Sequence, residues 1–155
     1  MNVAILTSCA NNDRYIGAIR VSSIRNALRK NGDNYVVYTS DTSVNENQYK
    51  VFQDSVGKID ESIGLFSLPL KVARKLWYSA FGITSHPLYN AIIESVIIDH
   101  GHRAIDVIFA TSPQAEMLEA AAYLSSKIQV PLVSDLRDGL IFEPLKKLNV
   151  IDLFI

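Results

Sequence analysis

The residues best suited to chemistry follow a short apolar run, VPLVS, near the end of the chain. Asp135, Arg137 and Asp138 place two carboxylates and one guanidinium within four positions. A carboxylate can orient a substrate hydroxyl or accept its proton, and a guanidinium can hold an anionic group. We therefore expect Asp138 to be catalytic and Arg137 to bind substrate. The alternative is a closed Asp–Arg network that only shapes the loop.

A second polar stretch follows the first apolar run, NVAILT, and leads into a segment with helical spacing. Gly17 and Arg20 stand where this helix should begin, and its free N–H groups attract anions or sugar hydroxyls. Arg20 lies four positions after Ile16 and four before Ile24, on or beside the buried stripe, where a guanidinium needs a partner. We expect Gly17 and Arg20 to bind substrate. The alternatives are an ion pair between Arg20 and Asp138, and a glycine that only allows close packing of the helix.

A third loop, with the sequence ATSP, places the hydroxyls of Thr111 and Ser112 ahead of another helical segment. We expect Ser112 to contribute to substrate binding. Capping of the helix N-terminus explains both hydroxyls without any ligand and is the simpler interpretation. The two roles are compatible, because a capped helix N-terminus still presents N–H groups.

Several common catalytic motifs are missing from the sequence. It has no glycine-rich dinucleotide motif, no phosphate-binding P-loop motif and no serine nucleophile elbow. The single cysteine, Cys9, cannot form an internal disulfide, and three histidines are too few to suggest a zinc site. We therefore expect no metal site, and a reducing, cytoplasmic compartment.

Length and composition indicate one folded domain. The chain has 155 residues, of which 48% are hydrophobic and 20% charged, which excludes a disordered protein. A net charge of −1 argues against a dedicated nucleic-acid binder. The longest stretch without a charged side chain, residues 76–93, is too polar to span a bilayer.

Short apolar runs alternate along the chain with segments of helical periodicity. We predict strands over residues 2–7, 35–39, 105–110 and 130–135, with a further short strand at 58–59 after a polar stretch. We predict helices over residues 15–30, 70–81, 87–100 and 112–127. This order is typical of an α/β fold with a Rossmann-like open parallel sheet and helices on both faces. Ligands bind beyond the carboxyl ends of such strands, so the three loops should share one edge.

The helix predicted from Leu70 to Phe81 combines two kinds of side chain. One face is basic and the other aromatic, with Lys71, Arg74 and Lys75 on the first and Trp77, Tyr78 and Phe81 on the second. Such a helix suits peripheral contact with an anionic membrane surface, here the inner face of the membrane. Ordinary amphipathic packing against a core is the alternative.

Three blocks of the sequence carry a resemblance to a known family. They are the opening NVAILTS with the loop that holds Gly17 and Arg20, the segment KNGDNYVVYTS, and the segment DVIFATSPQAEMLEAAAYLSSKIQVPLVSDLRDGL. Together they resemble the N-terminal domain of family 4 glycosyltransferases of the GT-B fold. Two details differ from the family pattern, since a single glycine replaces a Gly-Gly pair in the first loop and Gly139 follows the Arg-Asp pair.

The resemblance implies a retaining transfer of a sugar from a nucleotide-sugar donor to a hydroxyl of a glycan, polysaccharide or lipid-linked acceptor. It implies an N-terminal domain that mainly binds the acceptor and a C-terminal domain that binds the nucleotide sugar. No cofactor is implied, because basic side chains and helix N-termini neutralise the leaving diphosphate.

The chain is long enough for only one of these two domains. We expect residues 1–155 to be the N-terminal domain, inactive alone, because the apolar pattern still continues at Phe154 and Ile155. The alternative class is a stand-alone flavodoxin-like binding or signalling module without catalysis.

Overall fold

A computed structural model of the protein describes residues 1–10, 16–44, 47–53, 73, 76–77, 80–111 and 114–135. Within these ranges the strands are β1 (Asn2–Thr7), β2 (Asn34–Thr39), β3 (Tyr49–Val51), β4 (Val107–Thr111) and β5 (Leu132–Asp135). The longer helices are α1 (Ile16–Lys30), α2 (Pro87–His102) and α3 (Ala115–Ile128), and a 3₁₀ turn (Ile83–Ser85) precedes α2.

The five strands form one parallel sheet in the order β3-β2-β1-β4-β5. β1 is central, and its residues Val3 to Leu6 are buried on both faces. A strand covered on both faces must be apolar throughout, which explains the uninterrupted run VAIL. The expected α/β fold with an open, Rossmann-like parallel sheet is confirmed.

Helices cover both faces of this sheet. On one face, Ala4 and Leu6 of β1 belong to a core cluster that includes Ile92 of α2 and Met117 of α3. On the other face, Ile5 and its neighbours on β1 and β2 pack with Val21 of α1. Successive side chains of a strand point to opposite faces, so a single strand contributes to both clusters.

Helix α1 is described from Ile16 and ends at Lys30, where the prediction placed its end. Its buried stripe passes through Ala18 and Val21, and Ile24, which the prediction placed on that stripe, is partly buried. Gly32 has a positive φ of 73°, a backbone conformation that favours glycine. The next N–H, of Asp33, donates to the Leu28 carbonyl at 2.9 Å and closes the helix end.

Two helix boundaries differ from the prediction. Helix α2 continues two residues past its predicted end at position 100, because the backbone of Gly101 stays helical, and the extended residue Arg103 closes the helix by donating its N–H to the Asp99 carbonyl. Helix α3 begins at Ala115 rather than at Ser112, and the residue at its N-cap is Gln114. The Gln114 side chain does not cap the helix, and its Oε1 instead accepts a hydrogen bond from the Tyr89 hydroxyl.

Strand β3 was not predicted, because its three residues, YKV, lie inside a predominantly polar stretch of the sequence. It pairs with β2 at the edge of the sheet, where one face of a strand needs little burial. The strand predicted at 58–59 lies outside the described residues. Of the helix predicted over 70–81, the described positions 73, 76, 77, 80 and 81 are helical. Among all described helices, none combines the length and apolar character needed to cross a bilayer.

Helix α2 offers a matched test of the core, because Ile92 is fully buried on it and Ile98 is 59% exposed. We expect Ile92→Ala to lower the free energy of unfolding by about 2–5 kcal/mol, the cost of a cavity in a packed core. Ile98→Ala should change it by less than about 0.5 kcal/mol. Urea denaturation followed by circular dichroism measures both. Equal losses for the two variants would contradict the packing of α2 described above.

Candidate functional site

A row of polar side chains closes the carboxyl edge of the sheet. In the strand register, Thr7 is paired with Thr39 on one side and with Thr111 on the other, and Thr111 is paired with Asp135. All three threonines are completely buried. Buried hydroxyls need hydrogen-bond partners, so this row must organise the loops that leave the strands.

Two of the threonines hold the loops after β1 and β2. The Cys9 N–H donates to Thr7 Oγ1 at 3.2 Å, and the Asp41 N–H donates to Thr39 Oγ1 at 3.0 Å. Each bond joins a hydroxyl to the N–H two residues on, a local turn typical of serine and threonine. The Asp41 carboxylate then accepts the Ala10 N–H at 3.0 Å, which ties the two loops together.

The third threonine takes part in a charged group. Thr111 Oγ1 donates to Asp135 Oδ2 at 3.0 Å, and Arg20 Nη1 donates to both carboxylate oxygens of Asp135, at 2.7 and 3.0 Å. The Arg20 side chain is 46% exposed and that of Asp135 is 23% exposed. The carboxylate is therefore fixed from the sheet side, and the guanidinium that it holds faces solvent.

The Arg20–Asp135 pair lies at the topological switch point of the sheet. From β1 the chain proceeds to β2 and β3 on one side, and later to β4 and β5 on the other. Connections that leave β1 and β4 therefore diverge, and ligands bind at such a point in open parallel sheets. Arg20 comes from the helix after β1 and Asp135 from the end of β5, so the ion pair joins elements on the two sides of the switch point.

The structure places two of the expected substrate-binding residues at this edge. Gly17 is buried in the first turn of α1, and Arg20 follows it on the next turn. Arg20 lies beside the buried stripe of α1 rather than on it. The other expected site residues, Ser112, Arg137 and Asp138, lie outside the described residues.

The alternative given for Arg20 was an ion pair with Asp138, and the structure shows an ion pair of Arg20 with Asp135 instead. Sequence reasoning also missed the threonine row, although a signal for it exists. The dipeptide Thr-Ser occurs five times in the sequence, and the three copies that begin at positions 7, 39 and 111 each start with the last residue of a strand. Three recurrences at equivalent places are a pattern that a search for polar strand ends would find.

The chemistry available at this edge is the binding of an anion or a polyhydroxylated molecule. Both hydrogen bonds between Arg20 and Asp135 use Nη1, and a guanidinium carries further donors on Nη2 and Nε that can bind a ligand. In the described part of the chain, no group of three or more metal-ligating side chains comes together.

A second polar cluster lies away from this edge, beside a groove of about 420 Å³ between the carboxyl end of α2 and the face of β1 and β2. Tyr38 donates to Asp99 Oδ2 at 2.5 Å, and Lys50 Nζ lies 2.7 Å from Asp99 Oδ1. These contacts join α2 to β2 and β3. We therefore interpret this cluster as a structural tether that holds the carboxyl end of α2 against β2 and β3.

Two tyrosines on β2 have pKa values shifted in opposite directions. Burial of Tyr38, together with its bond to the negative Asp99, raises the pKa of its hydroxyl. Burial also acts to raise the pKa of Tyr35, but the guanidinium groups of Arg25 and Arg29 outweigh it and lower that pKa. Arg29 Nη2 donates to the Tyr35 hydroxyl at 3.3 Å.

Comparison of the chain with protein-family models and with curated proteins found no match. The function is therefore inferred from the fold, from the groups at the carboxyl edge and from the resemblance of the three sequence blocks.

The hydroxyl of Thr111 should contribute measurably to stability. We expect Thr111→Val, which keeps the shape and removes the donor to Asp135, to lower the free energy of unfolding by about 1 kcal/mol. Thr111→Ser keeps the hydroxyl and should recover most of the bond, with only the cost of a lost methyl group. Chemical denaturation of the three proteins measures this difference. A larger loss for the serine variant would show that the methyl group matters and the bond does not.

Because the pKa values of Tyr38 and Tyr35 are shifted in opposite directions, we expect their removal to change the stability in alkali in opposite directions. Tyr38 keeps its proton in the folded protein above pH ~10, where the unfolded chain loses it, so its contribution is present below that pH and is lost as pH rises. Tyr38→Phe should make the alkaline loss of stability shallower, by up to about 1.4 kcal/mol per pH unit. Tyr35 has a lowered pKa, so its contribution is present at high pH and is lost as pH falls. Tyr35→Phe should therefore make the alkaline loss steeper.

Denaturant midpoints measured from neutral pH to about pH 11 test both variants, because this range includes the ordinary tyrosine pKa of about 10. The slope against pH is compared with that of the unmodified protein, so a constant loss from a missing hydrogen bond does not affect the result. Slopes that change in the same direction for both variants would contradict the contacts described for Asp99 and for the two arginines.

Proposed function

We propose that this chain is the N-terminal, acceptor-side domain of a retaining glycosyltransferase of the GT-B fold. The complete enzyme moves a sugar from a nucleotide-sugar donor to a hydroxyl of a glycan, polysaccharide or lipid-linked acceptor. The observation that carries the proposal is the Arg20–Asp135 pair at the switch point of a parallel sheet. From the resemblance to family 4 glycosyltransferases, we expect the substrate-binding loops at this same edge of the sheet.

In this proposal, Arg20 binds an anionic or polyhydroxylated part of the substrates. Asp135 is a positioning residue, because its carboxylate holds the guanidinium and is itself fixed by Thr111. An ion pair that is already formed loses less side-chain entropy when a ligand binds than a free arginine does. Gly17, Ser112 and Arg137 are the further proposed binding residues, and the N–H groups at the start of α1 add donors for sugar hydroxyls.

Asp138 is the proposed catalytic residue. In the transfer, the bond between the anomeric carbon and the diphosphate oxygen breaks, and a bond to the acceptor oxygen forms as the acceptor hydroxyl loses its proton. A carboxylate close to that hydroxyl can orient it and accept the proton. The donor diphosphate is bound by a second domain in this scheme, so residues 1–155 alone show no turnover, and no metal or other cofactor takes part.

The proposal is tested on the protein encoded by the complete reading frame that contains these residues. Incubated with a panel of nucleotide sugars and with saccharide or lipid-linked acceptors, it should release a nucleoside diphosphate and form a product heavier by one sugar. We expect Arg20→Ala to lower kcat/KM by about 10–100-fold, the effect of losing a hydrogen bond from a charged group. Mass spectrometry of the products and assay of the released diphosphate measure these outcomes.

Arg29→Ala is the matched control, because Arg29 lies on the same helix but in its last turn, where it contacts Tyr35. This variant should retain kcat/KM within about twofold, since its charge is remote from the proposed site. An active enzyme in which Arg20→Ala changes kcat/KM no more than Arg29→Ala would refute the assignment of the site. Saccharide binding without any transfer would instead favour the stand-alone binding module.

A further inference from the structure

A stripe of apolar side chains lies on the surface of the helical segment before the 3₁₀ turn. The described residues of this segment are helical and follow one another at intervals of three and four positions, so they share one face. They form what we call the aromatic stripe, which comprises Ala73, Leu76, Trp77, Ala80 and Phe81. The three large side chains are 66%, 56% and 60% exposed, in chain order.

The aromatic stripe differs from the other exposed apolar side chains. Large exposed hydrophobic residues such as Ile19, Ile98 and Val133 occur once on their respective elements, as is normal on protein surfaces. Here three occur together, and the rings of Trp77 and Phe81 lie 4.2 Å apart at an angle of 35°. An apolar stripe with helical spacing normally packs against a core, so this one is directed at a partner outside the described structure.

The charge of the surrounding sequence indicates the nature of that partner. No acidic residue occurs between Glu61 and Glu94, and three basic residues, Lys71, Arg74 and Lys75, are interleaved with the stripe. This concentration of positive charge occurs in a chain whose overall net charge is −1. The partner must therefore offer negative charge together with an apolar layer.

We propose that the aromatic stripe docks on an anionic lipid surface. Leu76, Trp77 and Phe81 would enter the boundary between headgroups and acyl chains, while the basic side chains contact lipid phosphates. Leucine, tryptophan and phenylalanine combined with lysine and arginine are the composition of helices that lie in the plane of a membrane. A second copy of this chain is a poorer partner, because it would bring two basic segments together. The proposal does not depend on the proposed transferase activity.

The chain contains its own probe for this interaction, because Trp77 is its only tryptophan. We mix the purified 155-residue protein with vesicles of phosphatidylcholine that contain phosphatidylglycerol, and with vesicles of phosphatidylcholine alone. With the anionic vesicles, the fluorescence of Trp77 should shift to shorter wavelength, brominated acyl chains should quench it, and the protein should sediment with the lipid. High salt should weaken the binding, because it screens the contacts with phosphate.

Two sets of variants separate the apolar and electrostatic contributions and leave the tryptophan in place. Leu76→Ser combined with Phe81→Ser should weaken vesicle binding by at least about tenfold, through lost apolar burial. Replacement of Lys71, Arg74 and Lys75 by alanine should weaken it by about 100-fold, since each basic residue near an anionic surface contributes about fivefold. The matched control is Ile98→Ser, which removes an equally exposed apolar side chain from α2 and should bind vesicles normally.

Circular dichroism of each variant verifies that the fold is retained. Three results would overturn the proposal: no fluorescence shift with anionic vesicles, equal binding to neutral vesicles, or a shift that survives both sets of variants. A dimer in light scattering that dissociates in the Leu76→Ser and Phe81→Ser variant would also overturn it, because the stripe would then be covered by a second copy. A failure to detect sugar transfer leaves all of these outcomes unaffected, so the two proposals fail separately.

Discussion

The parallel register of the central strand is the constraint on which the candidate site depends. β1 is paired with β2 and with β4 so that Thr7 lies level with Thr39 and Thr111. Alternate residues of β1 belong to different core clusters, one under α1 and the other under α2 and α3. A shift of one residue would exchange the two sets of side chains, so burial on both faces fixes the register. The polar ends of the strands are therefore brought into line by apolar packing.

The threonine row shows how a buried polar edge is made compatible with a stable core. Each threonine is completely buried, and each one forms a hydrogen bond within the loop or strand beside it. Two of these bonds organise loops. The third orients Asp135, which then holds Arg20 at the switch point of the sheet. The geometry of a solvent-facing guanidinium thus follows from the register of buried strands.

Much of the fold could be predicted from the sequence, because burial leaves a periodic pattern. The apolar run of β1 and the helical spacing of α1, α2 and α3 identify their elements to within a few residues. β3 could not be predicted, since three residues at a sheet edge leave no periodic signal. Glycine is a weak guide to helix ends, as Gly32 and Gly101 show. The first adopts a positive φ and ends α1, whereas the second continues α2.

The position of Arg20 in the fold could be predicted from the sequence, but its ion-pair partner could not. The rule that ligands bind at the carboxyl ends of parallel strands directed attention to the edge where Arg20 lies, and Arg20 does pair with a carboxylate there, as a partly buried guanidinium requires. Asp135 and Asp138 lie three residues apart in the same charged sequence, and spacing alone does not decide which of them reaches α1. The tether of Tyr38, Lys50 and Asp99 joins positions 49 and 61 residues apart, and no local pattern records such contacts.

The small contribution of the Arg20–Asp135 pair to stability is our reason for proposing a functional role for it. An ion pair with a half-exposed guanidinium contributes no more than about 1 kcal/mol to stability, so the fold gains little from it. Its effect on position is larger, because the carboxylate is fixed by a fully buried threonine and both its oxygens accept from one nitrogen of the guanidinium. The remaining donors of Arg20 are then held at the switch point in a defined orientation. Under the proposed function, an anion or a sugar that binds at the switch point would meet a cation that is already in place.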